Sequence, residues 1–179
     1  MFLAYINYYR CDYKDIFYQL VRDMKKKLHL AVLEKFRILV QEAQNHSDRI
    51  KKKTGVSGAQ LWVLQEVSEQ VNITINEIAA KMAMNQSTIS TLADQMTQAG
   101  YLTRSAAVSD KRKVLVNLTP AGVKLLKKSP EPHKGLMPFI LSESSEKELL
   151  LLESALSKMI LHIPKAHQGF AKEPLPFTR

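Results

Sequence analysis

The 179-residue chain has one cysteine, Cys11, so it can build neither an internal disulfide nor a multi-thiolate zinc site. A reducing, cytoplasmic setting is the expectation that follows. No apolar run approaches the roughly 18 residues that a membrane-spanning helix needs, and no membrane partner is expected. The opening "MFLAYINYYR" lacks a basic start and a small-residue cleavage site, so it does not read as a signal peptide. Glycine and proline number only 6 and 7 and fall mostly outside the periodic segments, which points to a largely helical chain. There is no glycine-rich phosphate loop and no nucleophile elbow. His29, His46, His133, His162 and His167 are dispersed, with no His-x-x-x-His pair on a helix. No catalytic residue, metal site or cofactor is therefore expected, and the chain is not read as an enzyme. Acidic residues are also short: 17 against 26 lysines and arginines, a formal charge of +9. That balance suggests a polyanionic partner.

Hydrophobic residues make up 45% of the chain, enough for a packed domain and too many for a disordered one. The aromatics are unevenly placed: seven lie in the first 18 residues. Met24 followed by Lys25-Lys26-Lys27 has the form of a protein start, so residues 1–23 read as an extension joined to a domain over 24–163. From Asp15 to Lys53 there is neither Gly nor Pro. Ile16, Leu20, Met24, Leu28, Val32, Phe36, Leu39 and Ala43 recur at helical spacing. One long helix is expected, with an interruption near Met24 as a variant of that reading. Lys51-Lys52-Lys53 and Gly55 supply its stop. A helix this long exceeds what one small lobe can cover, so part of its face is expected to meet another subunit.

Ser57 with Gln60, and Thr74 with Glu77, have the form of capping boxes opening two further helices. Asn85 is a suitable N-cap for the next, whose Ile89, Leu92, Ala93 and Met96 share one face. Gln86, Ser87, Ser90, Thr91 and Asp94 share the opposite face. Short polar side chains at a helix start suit hydrogen bonding to base edges and phosphates in a major groove. Two short helices and a tight turn make a helix-turn-helix pattern. Amphipathic helix pairs with polar outer faces are common, so that pattern alone weighs evenly against plain structure.

The stretch after Gly100 tips the balance. "YLTRSAAV" is a strand candidate, "SDKRK" a turn, and Val114, Val116 and Leu118 alternate as a half-buried strand does. Thr119 is an N-cap with Pro120 at the first helical position. The order is that of a winged helix-turn-helix over 57–128. Lys111, Arg112 and Lys113 stand at the wing tip, where an arginine can enter a minor groove. Asp110 is read as shaping the turn or holding Arg112. The candidate DNA-binding residues are Asn85, Gln86, Ser87, Thr88, Ser90, Thr91, Arg104, Lys111, Arg112 and Lys113.

The segments "INEIAAKMAMNQSTISTLADQMTQAGYLTR" and "DKRKVLVNLTPAG" resemble the MarR-type (multiple antibiotic resistance) regulators. Asp110, Arg112, Leu118, Thr119 and Gly122 match that family's wing pattern in order. The resemblance extends more loosely from about Met24 to Ile163. It implies a mainly α fold with a small β-hairpin wing, and homodimers whose N- and C-terminal helices interlock. It further implies a repressor that grips palindromic double-stranded DNA and is released by small lipophilic or phenolic effectors or by oxidants. Three departures stand out. Thr91 occupies a place where many members carry a basic residue, leaving no cation from Asn85 to Gln98. Phosphate affinity then falls to the wing, to Arg104 and to Lys51–Lys53. Ala83 stands where many helix-turn-helix turns have glycine, and residues 1–23 have no counterpart.

Ser145 and Glu148 form another capping-box pattern, and Leu149, Leu152, Leu156, Met159, Ile160 and Ile163 form a stripe. Residues 24–54 and 142–163 are thus the expected dimerisation helices. The alternative is that both stripes pack within one chain. The remainder, 164–179, reads as a flexible or surface-draped tail. Two other functions compete with operator binding: a winged helix that binds protein and has no operator, and an oxidant sensor acting through Cys11, whose neighbours Arg10 and Lys14 could lower its thiol pKa. Three consecutive wing cations argue against the first, and the lack of a second cysteine argues against the other. The residues that would hold an effector are not marked by any motif.

Overall fold

The computed structural model describes residues 2–106 and 113–178. Helix α1 (Phe2–Thr54) runs without interruption, so the break considered near Met24 does not occur. Lys25–Lys27 are good helix formers and no Gly or Pro is present to stop the chain. The chain divides into two compact units between Gln41 and Glu42. In the first unit no described side chain is buried: Ile16, Phe17, Leu20, Met24 and Leu28 are all exposed.

The second unit carries the core. The end of α1 contributes Ala43, His46, Ser47 and Ile50 as buried residues. It is followed by α2 (Gly58–Glu69), β1 (Ile73–Thr74), α3 (Ile75–Lys81), α4 (Gln86–Gln98), β2 (Leu102–Ala106), β3 (Val114–Leu118) and α5 (Pro120–Lys128). The expected capping boxes at Ser57 and Thr74 are both formed. Leu61, Leu64, Ile73, Ile78, Ile89, Met96, Leu102 and Val116 are fully buried and bring α2, α3, α4 and the sheet onto one core. The sheet is antiparallel in the order β1-β3-β2, with Ile73 opposite Val116 and Leu102 opposite Leu118. Strand β1 lies in what the sequence presents as a polar break. Two residues are too short for a period-2 signal.

Glycines act at two junctions. Gly100 (φ 78°) ends α4 in a Schellman arrangement, with the Tyr101 N–H donating to the Met96 carbonyl at 2.9 Å. At Gly122, a Cβ would lie 2.3 Å from the Tyr101 carbonyl oxygen. That carbonyl also accepts the Thr119 N–H at 3.0 Å, and the Thr119 hydroxyl accepts the Gly122 N–H at 3.1 Å. The Thr-x-x-Gly spacing is thus the local geometry by which α5 abuts the base of the wing.

Beyond α5, α6 (Leu136–Ser142) precedes the range 142–163 of the expected dimerisation helix, and α7 (Glu146–Ile160) lies within it. The Ser145 capping box starts α7 four residues later than that range. No residue of α7 is buried: Leu149 and Leu156 of its stripe are half-buried, while Leu152 is 43% and Met159 48% exposed. Buried Glu66 accepts from the Trp62 indole N–H at 2.8 Å and pairs with Lys134 at 3.0 Å, tying α2 to the segment before α6. Burial alone would lower the Lys134 pKa, but Glu69 and Glu66 hold it above the usual lysine range.

Candidate nucleic-acid interface

The turn between α3 and α4 is the first determinant of the site. Ala83 adopts φ 50°, the left-handed conformation that glycine takes without cost. Its N–H donates to Ala80 O at 3.2 Å, and the Met84 N–H donates to Ala79 O at 3.0 Å. Helix α4 then buries Ile89, Ala93 and Met96 against the core, the face its periodicity predicts. A bond between the Gln60 and Gln95 amides at 2.9 Å ties α4 to α2.

The outward side of α4 divides into three parts. Gln86, Ser87 and Thr91 are exposed and form its ridge. Gln86 and Ser90 also face a groove shared with Glu77, Arg104 and Lys113, between the helix-turn-helix and the wing. On the other flank, Thr88, Thr91 and Gln95 border a groove with Lys51, Ser57 and Glu173. The uncharged ridge therefore lies between a groove with Arg104 and Lys113 of the wing beside Glu77 and one with Lys51 of α1 beside Glu173. Lys51, Lys52, Lys53 and Lys113 are all exposed.

Two expected site residues are placed differently from their simplest reading. Arg104 does not extend freely toward solvent: its guanidinium pairs with Asp94, and a second nitrogen lies 3.5 Å from Ser90 Oγ. Its Nε is buried without a hydrogen-bond partner among the described residues. Asn85 occupies the N-cap position of α4, but its side chain makes no capping bond. The amide Nδ2 instead donates to Glu173 Oε1 at 2.9 Å, and the backbone N–H donates to Lys172 O at 3.1 Å. The Thr88 hydroxyl lies 3.2 Å from Glu173 Oε2. The side chain expected to satisfy α4's own amides is thus diverted to the tail. Glu173 had no motif to mark it. The only trace is that it precedes the apolar run Pro174-Leu175-Pro176-Phe177, which requires cover.

Asp110, Lys111 and Arg112 lie outside the described residues, and the Cys11 side chain is likewise outside them. In the wing groove, hydrogen bonds from the Thr74 hydroxyl and backbone hold the Glu77 carboxyl below the usual range. Glu77 is accordingly an anion at the start of α3, on the groove that Lys113 also borders. Among the described residues no cluster of His, Cys, Asp and Glu could hold a metal ion, and no helix is long and apolar enough to cross a membrane.

The MarR family model matches residues 56–114, which run from the start of α2 to the start of β3. The chain is similar to the HTH-type transcriptional repressor MdtR of Bacillus subtilis (29% identical, 63% of this chain and 72% of that protein). It is also similar to the HTH-type transcriptional regulator PecS of Dickeya dadantii (26% identical, 79% of this chain and 85% of that protein). In fold it matches the MepR–DNA complex of S. aureus with a TM-score of 0.53 at 22% identity, over 72% of this chain and 95% of that one.

Proposed function

We propose the function of this chain from one premise: it belongs to the MarR family, the winged helix-turn-helix transcriptional regulators. The chain binds double-stranded DNA in sequence-specific fashion and represses transcription from a palindromic operator, as a homodimer in the cytoplasm. A small lipophilic or phenolic molecule releases it, and it catalyses no reaction. The observation that carries this reading is the exposed ridge of Gln86, Ser87 and Thr91 between Lys113 and Lys51. The ridge offers hydrogen-bonding groups without charge, as base edges require, and the flanking lysines supply the phosphate attraction.

The homodimer rests on α7 and the first unit, whose apolar side chains lack cover in one chain. Two-fold symmetry would present two ridges to two half-sites, which makes the operator a palindrome. The repressor role follows the relative MdtR, which carries that name. Lys111 and Arg112 add their charges to that phosphate attraction.

The test is a duplex selected from random DNA by the full-length protein, followed by a salt titration. Binding should weaken steeply with salt, with the slope of log K against log salt falling by about 0.9 for each phosphate contact removed. Gln86→Ala should reduce discrimination between selected and random DNA by about 1–3 kcal/mol. Equal losses on both duplexes would mean that the ridge reads no bases. Failure to enrich any duplex would overturn the function itself.

A further inference from the structure

We propose that the C-terminal segment from Lys172 to Thr178 is an intramolecular competitor for DNA, strapped over the start of the recognition helix α4. The inference rests on the DNA-binding reading above and adds its regulation. Three observations carry it. The first is chemical mimicry. The Glu173 carboxylate accepts from Asn85 Nδ2 at 2.9 Å and lies within 3.2 Å of the Thr88 hydroxyl. An anion beside a helix N-terminus, bonded to side-chain amide and hydroxyl donors, has the contacts that a DNA phosphate makes there.

The second observation is that the contact involves backbone as well as side chain. The Asn85 N–H donates to the Lys172 carbonyl at 3.1 Å. One of the first free amides of the recognition helix region is thereby spent on the tail. The third is a separate anchor. Pro174 is buried, and the Ser47 hydroxyl donates to the Phe177 carbonyl at 2.6 Å. Thr178 lies against Gly58, and Leu175 and Phe177 help to close an apolar cavity of about 110 Å³ walled by Ile50, Trp62 and Met84. The anchor holds Glu173 at a high effective concentration over α4, so one carboxylate can compete with a polyanion.

A DNA phosphate and Glu173 cannot share Asn85 and Thr88, and their like charges repel. Two of the residues expected to touch DNA, Asn85 and Thr88, are half-buried and bonded to Glu173, while Gln86 and Ser87 beside them are exposed. Binding must lift the Lys172–Glu173 turn and can leave the Pro174–Thr178 anchor seated.

The experiment compares full-length protein, Glu173→Gln, a deletion of 172–179, and Glu146→Gln as a control that removes one exposed charge from α7. Each is titrated against the selected duplex after circular dichroism has shown the same helix content. Glu173→Gln should bind about three- to tenfold tighter than the control, since it removes the charge of the competing hydrogen bonds and keeps their shape. The deletion should bind at least as tightly as Glu173→Gln. Equal affinity for Glu173→Gln and Glu146→Gln would overturn the proposal, because the gain would then be net charge alone. Weaker binding by Glu173→Gln would overturn it too, making Glu173 a positioning residue for Asn85 and Thr88. Hydrogen exchange in DNA-free protein reads the strap independently: residues 85–92 should exchange faster in the deletion, and unchanged protection means that the strap is not docked. If no form binds any duplex, the function reading fails, and the exchange result still decides whether the strap exists.

Discussion

Helices α4 and α7 are written in nearly the same pattern and end in opposite environments. Each is amphipathic and of similar length, 13 and 15 residues, and each starts behind a residue suited to capping. Yet α4 buries Ile89, Ala93 and Met96, while α7 buries nothing. Their caps differ too. Ser145 caps α7 with its own hydroxyl and receives the Glu148 carboxylate in return, whereas Asn85 gives its side chain to the tail. The difference teaches that a periodic apolar face states a demand for cover without naming the cover. For α4 the cover is the core of its own lobe. For α7, whose Leu149 and Leu156 are only half-buried, the proposed second copy supplies the rest.

Placing the same charge on both helices sharpens that contrast and should give the largest effects. Ile89→Glu puts a carboxylate without a partner at a site of 0% exposure. Its desolvation costs several kcal/mol, about the whole margin of a small domain, so the lobe should be unfolded at 25 °C by circular dichroism. Leu152→Glu together with Met159→Glu changes two exposed positions. The chain should keep its helix content and run as a monomer in light scattering at micromolar concentration, because two charges now face an interface that has to bury roughly 1,200 Å² or more. An unfolded double variant would mean that α7 is part of the lobe's own core. A double variant that stays dimeric would move the interface elsewhere.

Gly122→Ala comes next in size. The added Cβ meets the Tyr101 carbonyl oxygen, a backbone atom held by its bond from Thr119. Overpacking of this kind costs about 1–3 kcal/mol and occasionally more, and a lowered urea midpoint with unchanged slope would record it. Since α7 shares none of these contacts, the dimer should survive wherever the chain remains folded. An unperturbed midpoint would show that the junction of wing and α5 yields more easily than its geometry indicates.

Much of the winged lobe was legible because its signals are local. Ser57–Gln60, Thr74–Glu77 and Thr119–Pro120 announce helix starts by chemistry that acts within three residues, and all three starts are formed. The period of Ile89, Ala93 and Met96 likewise specifies the inward face of α4 by itself. What escaped was set by partners distant in sequence. The two-residue strand β1 exists because β3 offers it a register, Ile73 opposite Val116. Arg104 is held by Asp94 ten positions away, and Asn85 by Glu173 88 positions away. No capping rule could foresee that a good N-cap would be outbid by an acid from the other end of the chain. Ala83 lies between these cases. Its place in the turn was legible, and its φ of 50° makes the cost concrete. Ala83→Gly should stabilise the lobe by up to about 1 kcal/mol, raising Tm by several degrees, since a left-handed alanine is strained where glycine is not. A fall in Tm would mean that glycine's added freedom in the unfolded chain outweighs the strain.

The smallest effect separates the caps of α3 and α7 from that of α4. Hydrogen bonds from the Thr74 hydroxyl and backbone hold the Glu77 carboxyl below its ordinary value, and those from Ser145 do the same for Glu148. A carboxyl whose folded pKa is depressed contributes stability that is present above its unfolded value and lost as the pH falls through the folded one. Acidification below about pH 4.5 should therefore loosen the starts of α3 and α7. Helix α4 has no carboxylate in its own first turn. Glu77 is exposed to solvent, so its share is no more than about 0.5 kcal/mol. Glu77→Gln keeps an acceptor for the Thr74 N–H but cannot titrate. Its stability should fall less steeply than the parent's between pH 5 and pH 3 in urea titrations, with the two curves converging at the acid end. Parallel curves would show that the Glu77 carboxyl titrates alike in the folded and unfolded chain, and the α3 cap would then owe its strength to shape alone.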